Sequence, residues 1–146
     1  MAIVQTHPSS LPHDRRSTRN SLGPLGEDLA AAHLKRRGYA VLARNVRTRA
    51  GEIDLIACGM GAIVFAEVKT RRVPRAAASR PRAEIPQPLE AIGTRKQLQV
   101  RRLAAAWLAQ SSTPRPRTSE IRFDAIAVTV DGRDRLVQLD HIEGAW

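Results

Sequence analysis

Residues 51–72, GEIDLIACGMGAIVFAEVKTRR, decide the fold of this chain. Apolar residues dominate both halves of this segment, and the sequence Cys58-Gly59-Met60-Gly61 divides them. Short apolar runs bounded by glycine are typical of β-strands. We therefore predict two strands, Glu52 to Ala57 and Ala62 to Thr70, that pair as an antiparallel hairpin.

The register of this hairpin decides which polar side chains meet. Residues that pair directly across an antiparallel ladder point to the same face of the sheet. One register pairs Cys58 with Ile63 and puts Asp54 directly opposite Glu67. A register shifted by two residues keeps both carboxylates and Lys69 on one face, although the carboxylates no longer lie opposite each other. An odd-length turn or a bulge would separate them, so the sequence leaves this point open.

Asp54 and Glu67 form a candidate metal site together with Val68 and Lys69. Two carboxylates about 5 Å apart across a hairpin repel each other and need a compensating charge. Mg²⁺ or Mn²⁺ supplies that charge, since hard cations bind carboxylate and carbonyl oxygens, and the Val68 carbonyl could be a further ligand. Lys69 reaches the same pocket, where it can orient the attacking water and stabilise charge on a phosphate. The competing interpretation is a solvated surface pair, because a glutamate two residues before a lysine is common at strand ends.

The charge of the chain indicates a polyanionic partner. The 146 residues carry a net charge of +10, and the isoelectric point is about 11.4. Nucleic acid, either DNA or RNA, fits this excess of arginine because the planar guanidinium matches phosphate oxygens. An anionic lipid surface and a role in solubility are the alternatives. Aromatic residues make up only 3%, which argues against a wide platform for stacking single-stranded bases.

Three sequence features bear on where the protein works. Cys58 is the only cysteine, so an intramolecular disulfide and a cysteine-based zinc site are excluded. The longest uncharged run, Leu55 to Ala66, is too short to span a membrane. The N-terminus lacks the apolar segment of a secretion signal. We therefore predict a cytoplasmic protein without a membrane partner.

The rest of the chain predicts a single α/β domain at residues 22–146. Residues 1–21 are polar, interrupted by proline and without periodicity, which predicts a flexible tail. The stretch from Arg71 to Pro88 contains four prolines and five arginines, so we predict a mobile loop without regular structure. The predicted order of elements is α-β-β-β-α-β-β. Besides the hairpin, these elements are the helices Pro24–Arg37 and Leu89–Gln110 and the strands Tyr39–Val46, Ile121–Val130 and Leu136–Ile142.

Other polar residues of these elements have structural interpretations. Glu27 lies on nearly the opposite side of the first helix from its predicted apolar stripe, near Ala30, Ala31 and Leu34. This helix is therefore predicted to have two packed or semi-packed faces, one of which contains a carboxylate. His33 is predicted to be an exposed helix position. Asp124 sits in an apolar strand, where a buried hydrogen-bond acceptor is favoured over a metal ligand. The predicted stripe consists of Leu22, Leu25, Leu29 and Ala32.

Four segments together resemble a known family. They are Gly26-Glu27-Asp28-Leu29-Ala30, Gly51-Glu52-Ile53-Asp54-Leu55-Ile56, Val64-Phe65-Ala66-Glu67-Val68-Lys69-Thr70-Arg71 and Ile121-Arg122-Phe123-Asp124. Over roughly residues 22–142 this order resembles the YraN-like family of small bacterial proteins. That family is similar to the Holliday-junction-resolvase-type members of the PD-(D/E)xK nuclease superfamily. The proline of the superfamily motif is replaced here by Ile53.

The resemblance implies a restriction-endonuclease-like core, in which helices flank a mixed β-sheet. It implies that Asp54, Glu67 and Lys69 are the catalytic set and that Glu27 is the helix carboxylate of the resolvase-like branch. It also implies a divalent-metal-dependent endonuclease that hydrolyses phosphodiester bonds in structured or branched DNA.

Basic residues near the site are the candidate contacts to nucleic acid, namely Arg71, Arg72, Arg75, Arg95 and Lys96. Two symmetric cuts in branched DNA require two active sites, so a homodimer is expected with this function. An apolar edge strand or Trp146 could form its interface. The alternative function is a non-catalytic basic module that binds DNA or RNA and keeps the nuclease-like fold. It predicts metal-independent binding.

Overall fold

The computed structural model describes residues 22–81, 92–110 and 120–146, together with residues 112, 114 and 117. Two helices lie on opposite faces of one five-stranded sheet, which confirms the predicted mixed sheet flanked by helices. The predicted N-terminal tail lies outside the described residues. The elements are α1 (Leu22–Arg36), β1 (Ala40–Thr48), β2 (Gly51–Gly59), β3 (Ala62–Arg72), α2 (Arg75–Ala78), α3 (Thr94–Gln110), β4 (Glu120–Val130) and β5 (Leu136–Ile142).

The strands follow one another across the sheet in chain order, β1-β2-β3-β4-β5. Neighbouring strands are antiparallel except for β3 and β4, which are parallel. Parallel neighbours need a crossover connection, and the segment that contains α2 and α3 provides it. This crossover places α3 on the face of the sheet opposite α1.

The register of the central hairpin is the one that puts the two carboxylates together. Cys58 pairs with Ile63, and the ladder continues to the pair Gly59–Ala62. The turn therefore consists of Met60 and Gly61, with φ values of 52° and 79°. Two consecutive positive φ values are typical of a type I′ turn, whose twist matches that of the flanking strands.

Helices α1 and α3 each cover a separate apolar core. The α1 core is formed with Leu55, Val64 and Ile126, and the α3 core with Ile56 and Phe65. The side chains of β2 and β3 thus alternate between the two cores through most of the hairpin. Among the described residues, no helix is long and apolar enough to cross a membrane.

Helix α1 packs through both predicted faces, and the face that carries Glu27 is the more deeply buried one. Its fully buried residues are Gly26, Ala30, Ala31 and Leu34, whereas the predicted leucines are only partly buried at the margin of the core. Small residues line the buried face because α1 lies very close to β3. A Cβ atom built on Gly26 would lie 1.7 Å from Thr70 Oγ1.

The prediction that Arg71–Pro88 has no regular structure was wrong for its first part. Strand β3 extends to Arg72, and a short helix, α2, follows at Arg75–Ala78. Pro74 occupies the position before this helix, where it needs no backbone N–H. Residues 82–88 lie outside the described residues.

Helix α3 begins at Thr94, later than the predicted start at Leu89, and residues 82–91 lie outside the described part of the chain. Val100, Leu103 and Ala104 are its buried residues. Trp107 packs edge-on against Phe65 at 5.9 Å between ring centroids. These contacts hold α3 over β2 and β3.

Candidate active site

The predicted site lies where strands β2 and β3 separate. The ladder between them ends at the pair Leu55–Ala66, one residue before Asp54 and Glu67. Strand β3 continues to pair with β4 as far as Arg72. The result is a fork in the sheet, with Asp54 on one side and Glu67 on the other.

The Asp54 side chain bridges the two separating strands by a hydrogen bond to the backbone of β3. The backbone N–H of Val68 donates a hydrogen bond of 2.7 Å to Asp54 Oδ2, in place of a ladder bond to β2. Asp54 is only 7% exposed. Burial, and after it the neighbouring carboxylates of Glu67 and Glu27, raise its pKa to about 7, against the opposing effects of the Val68 N–H and Lys96.

Glu67 is a buried carboxylate held between two lysines. It is 4% exposed. Lys69 Nζ lies 3.3 Å from Glu67 Oε1, and Lys96 Nζ lies 3.3 Å from Glu67 Oε2. Glu67 Oε2 nevertheless has no hydrogen-bond partner among the described residues. The Lys96 ammonium offsets the charge of this oxygen, and a divalent cation at the fork would compete with that lysine for it.

Glu27 approaches the fork from α1, and Asn45 holds it there. Asn45 Nδ2 donates a hydrogen bond to Glu27 Oε2. Asn45 has a φ of 49°, a left-handed conformation that asparagine tolerates better than most residues. It interrupts the regular β1–β2 pairing opposite Asp54, between the pairs Arg44–Leu55 and Val46–Ile53.

The irregular β1–β2 pairing changes the alternation of β2 at Asp54. Ile53 and Ile56 are three residues apart, yet both pack in the α3 core. Regular alternation would send them to opposite faces. The alternation on which the sequence prediction relied therefore holds from Leu55 to Cys58 and breaks at Asp54 itself.

The oxygen ligands at the fork are of the type that a hard divalent cation binds, but few of them come from acidic side chains. Among the described residues, no group of three or more His, Cys, Asp or Glu side chains is placed to hold a metal ion. A site here would use Asp54, Glu67 and the Val68 carbonyl, with water and phosphate oxygens for the remaining positions. The structural feature that favours such a cation is the pair of neighbouring buried carboxylates, Asp54 and Glu67.

The predicted nucleic-acid contacts do not all lie together. Arg71 follows Lys69 by two residues, so regular alternation puts it on the face of Glu67. Arg72 forms an ion pair with Asp134, and its guanidinium is therefore engaged at the β4–β5 turn. Arg75 is exposed at the start of α2, and Arg95 is exposed near the start of α3.

Lys96, a predicted nucleic-acid contact that the family resemblance also places near the site together with Gln97, lies beside Glu67. It occupies the first position of the buried stripe of α3, which continues through Val100 and Leu103 at helical spacing. A lysine at such a position is a signal that the sequence contained. The sequence contained no comparable signal for the hydrogen bond from Asn45 to Glu27, because the hydrophobic pattern does not report the left-handed backbone conformation of Asn45.

A second polar cluster, on the α1 side of the sheet, is structural. Asp124 is fully buried and accepts hydrogen bonds from Arg122 and the Gly144 N–H, which confirms its predicted role as an acceptor. His141 Nε2 lies 2.7 Å from Asp124 Oδ2, and His141 Nδ1 lies 3.1 Å from His33 Nε2. The prediction that His33 is simply exposed was wrong, because its ring packs edge-on against His141.

Comparison with known proteins gives a consistent result. The model of the family described as "Uncharacterised protein family UPF0102" matches residues 26–128. A "UPF0102 protein" of Acidothermus cellulolyticus is 36% identical over 137 residues, covering 89% of this chain and 96% of the relative. Proteins of the same name from Streptomyces griseus and Mycobacterium avium are 41% and 43% identical over 128 and 129 residues. Their matches cover 88% and 87% of this chain and 98% and 91% of the relatives. The chain therefore belongs to the UPF0102 family, the YraN-like family that its motifs predict.

Proposed function

We propose that this protein is a divalent-metal-dependent endonuclease that hydrolyses phosphodiester bonds in structured or branched DNA. The observation that supports this most strongly is the buried Glu67 carboxylate at the strand fork, with the buried Asp54 beside it and two lysines around it. Two buried acids at the end of a paired ladder are costly for folding alone. Such an arrangement is expected where a cation and a phosphate bind.

The acidic residues would hold the metal. Asp54, Glu67 and the Val68 carbonyl provide oxygen ligands, and Glu27 contributes negative charge from α1. When bound, Mg²⁺ or Mn²⁺ would lower the pKa of water and polarise the phosphodiester. The hydrogen bond from the Val68 N–H to Asp54 Oδ2 keeps this carboxylate aligned with β3.

The two lysines have different places in the chemistry. The Lys69 side chain is 46% exposed, so it can orient a water molecule that arrives from solvent while it stays near Glu67. Lys96 is 30% exposed and reaches the site from α3. Its ammonium would offset the charge that develops on the phosphate during attack. Removing the positive charge of Lys69 or Lys96 should therefore slow the reaction.

Metal titration by calorimetry, paired with cleavage of duplex, flap and four-way-junction DNA, tests the proposal. We use the nearly isosteric variant Asp54→Asn/Glu67→Gln. The matched control is Asp28→Asn/Glu120→Gln, which removes two exposed carboxylates outside the site and its neighbouring hollows. We expect wild type and the control to bind Mn²⁺ and to cut at least one substrate in a metal-dependent way. The site variant should lose both properties.

Two results would contradict the proposed site or the proposed activity. One is metal-dependent cleavage that persists in the site variant, which would place the chemistry elsewhere. The other is tight DNA binding by a wild-type protein that neither binds metal nor cuts, which would favour the non-catalytic binding module. Circular dichroism and thermal unfolding of each variant establish that the fold is intact.

A further inference from the structure

We propose that a groove between the β1–β2 turn and helix α3 binds one strand of nucleic acid and leads it to Glu67. The inference that the bound strand reaches Glu67 rests on the proposed nuclease function. The binding itself needs no metal and no cleavage.

The groove consists of two hollows that share a wall. The larger, of about 650 Å³, is lined by Ala50 and by the first two turns of α3 from Arg95 to Arg102. The smaller, of about 500 Å³, is lined by residues 47, 48, 51 and 52. Both include Lys96 and Gln99, so they form one continuous surface. Hollows of this size suit ligands of a few nucleotides or less.

Gln99 makes this groove a built feature of the fold. Its side-chain Nε2 donates a hydrogen bond to the carbonyl of Ala50 in the β1–β2 turn. Gly51 has a φ of 136°, and a Cβ atom there would lie 2.4 Å from Gln99 Nε2. Thr48 Oγ1 also bonds within the turn, to the Ala50 N–H and the Gly51 carbonyl at 3.1 Å each. The turn is thus fixed against α3.

The helix side of the groove carries a regular stripe of side chains. Arg95, Leu98 and Arg102 are spaced at i, i+3 and i+7 and therefore share a face of α3. All three are exposed, and Leu98 is 51% exposed. The two arginines are separated by about 10 Å along the helix axis. This span corresponds to about three nucleotides of one strand at the rise of B-form DNA.

The charges favour a phosphate backbone as the occupant. Arg95, Lys96 and Arg102 contribute positive charge, and Glu52, the acidic residue among the described lining residues, pairs with Arg47 at 3.4 Å. Leu98 lies between the arginines, where it can contact a sugar or a base. Lys96 belongs to the groove wall and to the Glu67 ion pair, so a strand in the groove meets the candidate active site directly.

Fluorescence anisotropy in EDTA tests the groove without cleavage. The probe is a labelled 20-nucleotide DNA strand, alone or in a duplex, titrated with wild type and with Arg95→Ala/Arg102→Ala. The control, Arg36→Ala/Arg133→Ala, removes the same charge from exposed positions outside the groove. We expect at least tenfold weaker binding for the groove variant and less than threefold for the control. With the single strand, the salt slope of log K should fall by about 1.4 for the groove variant, because each lost contact contributes about 0.7.

A label placed in the groove gives an independent measurement. Leu98→Cys carries an environment-sensitive fluorophore, and Ala105→Cys is the control on an exposed part of the same helix. The native Cys58 is buried, so labelling is directed to the introduced thiol. We expect the DNA strand to shift the emission at position 98 and to leave position 105 unchanged.

The outcomes separate this proposal from the catalytic one. The groove proposal would be overturned by equal weakening of binding in the two arginine variants, by an unchanged salt slope, or by equal fluorescence responses at positions 98 and 105. Each of these results would do so even if the wild type cuts DNA. Selective loss of binding together with a response at position 98 alone would support it, even if no cleavage is found with any metal.

Discussion

At the scale of single residues, the proposed divalent cation would compete with two lysines for Glu67. Lys69 and Lys96 each lie 3.3 Å from one Glu67 oxygen. A divalent ion would be attracted by the same negative charge. A lysine that acts on water and phosphate is needed for the rate. A lysine that only neutralises Glu67 is not needed once a metal is bound.

Lys69→Met should therefore separate rate from metal binding. We expect its metal-dependent cleavage to fall about 100-fold, which is the lower end for a group that assists proton transfer. Its Mn²⁺ affinity should stay equal or increase, because a competing charge next to Glu67 is gone. Calorimetry and single-turnover cleavage measure the two effects. A loss of Mn²⁺ affinity as large as that of Glu67→Gln would show that Lys69 helps to build the site.

Asp124 leads to a prediction about pH. Burial alone would raise its pKa, but hydrogen bonds from His141, Arg122 and the Gly144 N–H lower it to about 2, from an ordinary value of 3.8. The unfolded chain then binds more protons between these values, so stability rises with pH. The contribution, about 2 kcal/mol, is present above pH 4 and is lost as the pH falls toward 2.

The Asp124→Asn variant should show this dependence. We expect it to lower the free energy of unfolding by about 2 kcal/mol at pH 7, and by much less near pH 2.5. Urea denaturation at a series of pH values measures the difference. Asp28→Asn is the control, because the Asp28 side chain is 66% exposed and its pair with Arg44 is expected to contribute little. A difference for Asp124→Asn that does not change with pH would contradict the assigned ionisation.

At the scale of elements, the contact between α1 and β3 sets the position of Glu27. A Cβ atom on Gly26 would lie 1.7 Å from Thr70 Oγ1 and 2.8 Å from two carbons of the same side chain. Gly26→Ala should push α1 away from β3, lower stability by about 1–3 kcal/mol and slow cleavage. Gly23→Ala in the same helix meets nothing within 4 Å, so it should stabilise by up to about 1 kcal/mol.

Thermal unfolding and cleavage of both glycine variants check this prediction. Gly26→Ala/Thr70→Ala should recover part of the loss, since the closest clashing atom is then absent. If Gly26→Ala instead matches Gly23→Ala, the helix has room to adjust and Gly26 does not determine the place of Glu27.

The hairpin shows what the sequence could predict at this scale. The alternation of strand side chains and the length of the hairpin turn are local properties. The register that brings Asp54 and Glu67 together was therefore among the alternatives that the sequence predicted. The fork beyond Ala66 was not, because it depends on β3 remaining paired with β4, an element more than fifty residues away. The left-handed Asn45 and the short helix α2 depend in the same way on tertiary contacts that no local pattern reports.

At the scale of the whole molecule, the site draws on both faces of the sheet. Glu27 comes from α1 and Lys96 from α3, and the fork between β2 and β3 brings them to Asp54 and Glu67. The site is therefore assembled only when both cores have formed. Both outer strands of the sheet are edges, and β5 exposes Leu136 and Ile142 by 44% and 46%. Trp146, in contrast, stacks on Phe123 of its own chain at 5.9 Å.

Because the described part of each chain contains one fork, two cuts in one DNA molecule are expected to require two chains or two encounters. We expect dilute protein to convert a supercoiled plasmid with a cruciform to the nicked circle first. Linear plasmid should then form with a steeper, near second-order dependence on protein concentration. Gel analysis of the products, with light scattering at the same concentrations, measures both quantities.

If β5 forms the dimer, Leu136→Lys/Ile142→Lys should suppress linear product and leave nicking intact. Linear plasmid formed in one step by a protein that scatters as a monomer would mean that one fork makes both cuts.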